Sequence, residues 1–210
     1  MCLPNKINFI ALNLILILLF FYGCFDNDVM TNNYFFGDSI IKRWDLKNYF
    51  PINNMINLGE NGAYISDVNN SLVYPINKDD ICFVLVGTND CMQKTNEGKS
   101  EEIIYYEFIS DYDELLISLK IRFNKIYIIS LLPLGSSYKD DQRYFHTLYP
   151  RINNWLNDRT LEDPKTRFIN AYNIFLNSNN YLSESYSQDG IHLNDFGYKL
   201  LSAIIREYIE

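Results

Sequence analysis

His192 stands three residues after Asp189 in the segment Asp189-Gly190-Ile191-His192, and the whole chain holds only two histidines. Far upstream, Ser39 closes the segment Phe36-Gly37-Asp38-Ser39, just after an apolar run. A serine hydroxyl is a weak nucleophile alone and needs a base beside it. The base in turn needs a group to orient it, and aspartate suits that task. Between these residues lie Gly59, Gly62 and the turn-like segment Gly87-Thr88-Asn89-Asp90. Each has a plainer role open to it. Ser39 suits the N-cap of a helix, and Asp189 with His192 suits a capping or surface pair. His146, the other histidine, has tyrosine and phenylalanine neighbours and reads as partly exposed packing.

These groups act together only if the chain brings them together. Tyr34-Phe35-Phe36 reads as a first strand ending at Gly37, with a helix within Ile40 to Tyr49. Met55 to Leu58 reads as a weak second strand. Ile81 to Val86 is continuously apolar, as expected of a parallel strand buried on both faces. Glu101 to Arg122 carries an apolar stripe that includes Ile104, Phe108, Leu115 and Leu119, which predicts a helix. Lys125 to Leu132 reads as a fourth strand stopped by Pro133, and Arg167 to Ile169 as a fifth. Gln142 to Leu161 reads as a helix kinked or broken at Pro150. Asp195 to Ile209 reads as a closing helix capped by Asn194 or Asp195. Strands alternating with helices predict a parallel sheet with right-handed crossovers and helices on both faces. Ligands of such a sheet bind beyond the carboxyl ends of its strands. Ser39, Gly62 and Asn89 fall at three such ends, and Asp189 with His192 in the loop before the closing helix.

Gly37-Asp38-Ser39, Gly62, Gly87-Thr88-Asn89-Asp90 and Asp189-x-x-His192 together resemble, in order, the four blocks of the SGNH (GDSL-type) hydrolases. The resemblance spans nearly all of the chain after residue 33. It implies a three-layer α/β/α, flavodoxin-like fold with a five-stranded parallel sheet. It also implies Ser39 as nucleophile, His192 as general base and then acid, and Asp189 as the residue that orients the imidazole. The Ser39 N–H, the Gly62 N–H and the Asn89 amide would form the oxyanion hole. The chain has Asn61-Gly62-Ala63 where members often carry Gly-Gly-Asp or Ser-Gly-Asp. The donor at Gly62 is a backbone group, so the chemistry survives that change. Asp38 and Asp90 read as loop-bracing hydrogen-bond acceptors, and Gly59 as a turn.

The length of 210 residues suits one domain with a sizeable core. A net charge of −8 argues against nucleic acid as a partner, because no basic stripe exists to neutralise phosphates. Lys6 followed by the apolar run Ile7 to Tyr22 and then Gly23-Cys24 reads as an export signal. The run is short of the ~20 residues of a membrane span. Phe21-Tyr22-Gly23-Cys24 resembles a bacterial lipoprotein cleavage box, which implies lipidation at Cys24 and a membrane anchor. The expected layout is a signal peptide over 1–23, a tether over 24–33 and one hydrolase domain over 34–210. Cys82 and Cys91 do not make a disulfide framework. No phosphate loop, zinc signature or G-x-S-x-G elbow is present, so no metal or cofactor is expected.

Acyl transfer from an ester or thioester to water is the reaction such a site implies. The segments Met92 to Ser100 and Leu134 to Asp141 read as polar substrate loops, with Lys94, Lys99, Tyr138 and Lys139. Neither has the apolar lining of a long acyl channel. That favours short acyl groups, acetyl above all, on a carbohydrate or other cell-envelope carrier. A lysophospholipase or thioesterase, an O-acyltransferase, and a non-catalytic binding protein on the same fold remain as alternatives. The oligomeric state is left open.

Overall fold

The computed structural model describes residues 31–75, 77–138 and 145–209. Its strands are β1 Asn32–Gly37, β2 Asn54–Gly59, β3 Ile81–Leu85, β4 Lys125–Ile129 and β5 Thr166–Ile169. They form one sheet in the order β2-β1-β3-β4-β5, with every pairing parallel. The helices are α1 Ser39–Lys42, α2 Leu46–Tyr49, α3 Ile65–Ser71, α4 Thr88–Asn96, α5 Glu101–Arg122, α6 Phe145–Leu161 and α7 Asp195–Ile205.

Alternation along the strands builds two apolar layers. Tyr34, Phe36, Cys82, Val84, Ile126 and Ile128 belong to the layer that contains Phe108, Leu115, Leu148 and Ile152 of α5 and α6. Phe35, Phe83, Leu85, Tyr127 and Ile129 belong to the other, with Ile41, Trp44, Leu201 and Ile205. The result is the three-layer α/β/α arrangement expected. β3 is covered on both sides, and each of its five residues is 0 % exposed. Truncating Phe83 to alanine there would cost about 3–5 kcal/mol. Trp44, in the connection after α1, adds a polar tie to α7, donating its indole N–H to the Ser202 hydroxyl at 2.9 Å.

Register decides where the site lies. Gly37 is level with Gly59 on one side and with Leu85 on the other. The segments after β1, β2 and β3 therefore leave the sheet at one height and side by side.

The structure departs from the sequence reading at several places. Asn32 and Asn33, expected in the tether, already belong to β1 and are buried. Asn32 is tolerated there because its N–H and its amide donate to Asp80 Oδ1 at 2.8 and 3.1 Å. The helix expected within Ile40 to Tyr49 is two short helices, the second started by Asp45, whose carboxylate accepts from the Asn48 N–H. α3 was not expected, and α4 takes the place of a turn and most of a polar loop. α6 runs 17 residues through Pro150 without a break. The closing helix ends at Ile205 and continues as a 3₁₀ turn, Arg206–Tyr208.

Cys82 and Cys91 are buried free thiols. Burial pushes both thiols well up from their ordinary value. The expected leader, Cys24 as the expected lipidation residue, and the start of the helix expected at Gln142 lie outside the described residues. Among the described residues no helix is long and apolar enough to cross a membrane.

Candidate active site

Ser39 is the first residue of α1, directly after the end of β1. Asp38 is the N-cap, so the plainer role open to Ser39 is taken by its neighbour: Asp38 Oδ1 accepts from the Ile40 N–H at 2.9 Å. The Ser39 side chain is thereby left to point elsewhere. Its Oγ lies 2.9 Å from His192 Nε2, across 153 residues of sequence. His192 Nδ1 lies 2.6 Å from Asp189 Oδ2. The three side chains form one hydrogen-bonded row.

The direction of that row follows from the carboxylate. Burial raises the Asp189 carboxyl. The His192 hydrogen bond and the Ile191 and His192 N–H groups outweigh that effect and hold it well below the usual aspartate range. An ionised carboxylate only accepts, so Nδ1 carries a proton and donates it. Nε2 is then the free lone pair, and the Ser39 hydroxyl donates to it.

The Asp189–His192 loop is braced from within and from outside. Asp189 Oδ1 accepts from the backbone N–H groups of Ile191 at 2.9 Å and His192 at 2.7 Å. The Ser187 hydroxyl donates to the same oxygen at 3.3 Å and accepts from the Gly190 N–H at 2.9 Å. Outside the loop, the Gly135 N–H donates to the Gly190 carbonyl at 2.8 Å. The two backbones are so close that a Cβ at Gly135 would lie 2.6 Å from Gly190 Cα. Ser187 and Gly135 escaped the sequence reading. The Ser-x-Asp spacing and the glycine two residues after Pro133 are the only sequence signals for them.

The other expected residues gather at the neighbouring strand ends. Gly62 is exposed, has φ +75, and has nothing within 4 Å of the place a Cβ would occupy. A backbone with positive φ and no side chain can approach a ligand closely. Its loop is tied down at both ends. The Glu60 N–H donates to the Gly37 carbonyl at 3.0 Å, and the Asn89 amide donates to the Ala63 carbonyl at 3.0 Å. Among the described residues, neither the Ser39 nor the Gly62 N–H has a protein acceptor. Asn89 keeps one of its two amide N–H bonds beyond the Ala63 contact. Gly59 is the last residue of β2, not a turn, and a Cβ there would lie 2.4 Å from the Lys42 nitrogen.

Asp38 and Asp90 stand behind these donors as braces. Asp90 accepts from the Ile65 N–H with both oxygens at 3.2 Å, fixing the start of α3 just past the Gly62 loop. Burial raises the Asp38 carboxyl to about 7, against the pull of its Ile40 hydrogen bond, and the Asp90 charge adds to the rise. Burial likewise raises Asp90 to about 6.

Of the two expected substrate loops, one changes its reading. Met92 to Asn96 is helical in α4. Lys94 pairs with Asp111 at 2.9 Å, and Lys99 with Glu107 at 2.8 Å, so both cations serve the α4–α5 contact. Leu134 to Tyr138 does flank the site. Tyr138 lies near enough to Asp189 that the carboxylate, after burial, helps raise its phenol. Residues 139–141 lie outside the described residues. His146 is exposed, with its ring edge-to-face on Tyr181 at 4.5 Å. Among the described residues, no group of three His, Cys, Asp or Glu could hold a metal ion.

The chain has relatives among known proteins. Residues 35–200 match the GDSL-like lipase/acylhydrolase family. The chain is 28% identical over 181 residues to an N-acylneuraminate cytidylyltransferase of Escherichia coli O18:K1:H7, matching 83% of this chain. It spans only 39% of that relative's length. Among solved structures, a Streptococcus pneumonia protein named for platelet activating factor has a TM-score of 0.74 at 20% identity, with 97% of this chain and 100% of that chain covered. A catalytic variant of an acetylxylan esterase from Geobacillus stearothermophilus has a TM-score of 0.63 at 17% identity, covering 84% and 93%.

Proposed function

Because the chain belongs to the GDSL-like lipase/acylhydrolase family, we propose that it is a serine esterase acting through an acyl-enzyme. The observation that carries this reading is the row Ser39–His192–Asp189, with its 2.9 and 2.6 Å contacts. Ser39 Oγ attacks the ester carbonyl carbon while His192 Nε2 takes the hydroxyl proton. The carbonyl oxygen becomes an oxyanion that the Ser39 N–H, the Gly62 N–H and the Asn89 amide receive. Expulsion of the alcohol breaks the ester C–O bond, and His192 returns its proton to the leaving oxygen. A water molecule, deprotonated by the same nitrogen, then attacks the acyl-enzyme and frees the acid and Ser39. Asp189 keeps the imidazole in the required tautomer and stabilises its charged form. No step calls for a cofactor.

The substrate in this reading is a short acyl ester, above all acetate, on a carbohydrate or related cell-envelope carrier. Two relatives are named for sugar chemistry, one for N-acylneuraminate and one for acetylxylan. The loop that flanks the acid and base, Leu134 to Tyr138, holds two serines and a tyrosine, and its one leucine is buried in the core. The leader fits the same picture, as an export signal with lipidation at Cys24 that tethers the enzyme at the envelope. Hydrolysis of p-nitrophenyl acetate, butyrate and octanoate tests the reading, with acetate the fastest. A profile peaking at octanoate moves the substrate to a lipid ester or thioester. No turnover of any of the three rejects the esterase.

A further inference from the structure

A depression of about 380 Å³ lies beside the segment that follows β5. Tyr172 and Asn173 form one side of it, Asn179, Asn180 and Tyr181 another, and His146 of α6 a third. Among the described residues its lining holds no lysine, arginine, aspartate or glutamate, and its polar side chains are three amides, two tyrosines and His146. The three asparagine side chains are exposed, and none has a protein hydrogen-bond partner among the described residues. Each offers an acceptor and two donors on one small planar group. A sugar hydroxyl is both donor and acceptor, so pairs of hydroxyls match such amides. The tyrosine rings supply an apolar face with a polar tip, which suits the C–H side of a pyranose ring.

The wall is rigid before any ligand arrives. Asn177 Oδ1 accepts from the Asn179 N–H at 2.9 Å and the Tyr181 N–H at 3.1 Å. The Asn177 N–H donates to the Tyr181 carbonyl at 2.8 Å, and Leu176 bridges Leu182. Asn180 takes φ 63, which turns the chain sharply at the rim. A preorganised wall spares a ligand the entropy of ordering it.

We infer that this depression is a second site for a neutral sugar unit, so that the enzyme holds its substrate as a chain of several sugars. Its place in the fold supports the inference. The segment from Leu176 to Leu193 is closed by isolated bridges at Leu176–Leu182 and at Ser187–Leu193. The depression sits at the first bridge, and Asp189 and His192 sit inside the second. The strand order puts the end of β5 three strand positions from the end of β1. At about 4.8 Å per position that is about 14 Å, a span for several sugar units and too long for one. The inference deepens the esterase reading and rests on it only for the acetyl group, not for the sugar.

Titration of the full-length protein with xylohexaose and with chitohexaose, followed by calorimetry, tests it, with p-nitrophenyl acetate turnover measured in parallel. At least one oligosaccharide should bind saturably, with a Kd on the order of 1 mM. Asn180→Gly keeps the left-handed backbone and removes only the amide. Asn180→Gly and Tyr181→Ala should each weaken binding about 3- to 10-fold, the loss of one neutral hydrogen bond or contact. Turnover of p-nitrophenyl acetate should stay unchanged in both. Absence of saturable binding of either sugar, or binding untouched in both variants, overturns the second site. If turnover is missing while binding and its loss in the variants remain, the esterase reading falls and the sugar site stands.

Discussion

The Asn89 amide nitrogen donates to the Ala63 carbonyl oxygen at 3.0 Å, joining the start of α4 to the loop that carries Gly62. One bond thus couples two of the three groups assigned to the oxyanion. Asn89→Ala should lower turnover by ~10²–10³, with little change in KM, because the lost donor acts on the tetrahedral state. Steady-state kinetics on p-nitrophenyl acetate reads this directly. Unchanged turnover would remove Asn89 from the oxyanion hole.

Ser39→Ala should cost ~10⁴-fold or more in turnover while the fold persists. A serine-directed phosphonate should label Ser39 alone, as read by peptide mass analysis. Labelling at another serine, or an active Ser39→Ala protein, would end the assignment.

Asp38 and Asp90 make stability depend on pH. Their carboxyls sit at about 7 and about 6 in the folded chain, against 3.8 for an ordinary aspartate. The folded state therefore holds protons that the unfolded state has released, and these groups lower stability as pH rises from about 4 to about 7. Asp189 acts the other way, since its depressed carboxyl stabilises above pH 3.8 and that gain is lost as pH falls. Asp38→Asn keeps an acceptor for the Ile40 N–H and removes the buried charge. The loss of stability between pH 4.5 and 7.5 should shrink in that variant. Thermal melts at the two pH values measure it, and an equal loss in both proteins would refute the buried-charge account.

Gly135→Ala should displace the Gly190 backbone, which a new Cβ would meet at 2.6 Å. A shift of ~1 Å in His192 costs about 10²-fold in rate. Turnover should fall far more than the melting temperature suggests. Full activity in this variant would show that the contact does not set the position of the base.

Cys24→Ser should move the protein from the membrane fraction to the soluble one. Each buried lipid CH₂ contributes ~0.8 kcal/mol, so several acyl chains hold firmly. Fractionation and intact mass decide it, and an unmodified Cys24 would end the lipoprotein reading.

The sheet was legible because β3 is an uninterrupted apolar run, and β1 and β4 each carry a core of at least three consecutive apolar residues. The candidate row was legible only through the constellation, because each of its three side chains has a plainer role open to it and four motifs in order resemble the blocks of one family. α3 and α4 were not, because their sequences, Ile65–Ser71 and Thr88–Asn96, are short and rich in polar residues. Their starts are fixed by tertiary contacts, such as Asp90 on the Ile65 N–H. The bracing of the acid–base loop by Gly135 was hidden for the same reason. A glycine that matters for what it lets approach leaves no periodic mark.

Ser39 and His192, the proposed nucleophile and base, are separated by 153 residues along the chain. A polypeptide under synthesis therefore presents Ser39 early and gains His192 only when the last helix is being added. Until the final loop docks across the sheet, Ser39 lacks the base that the proposed mechanism gives it.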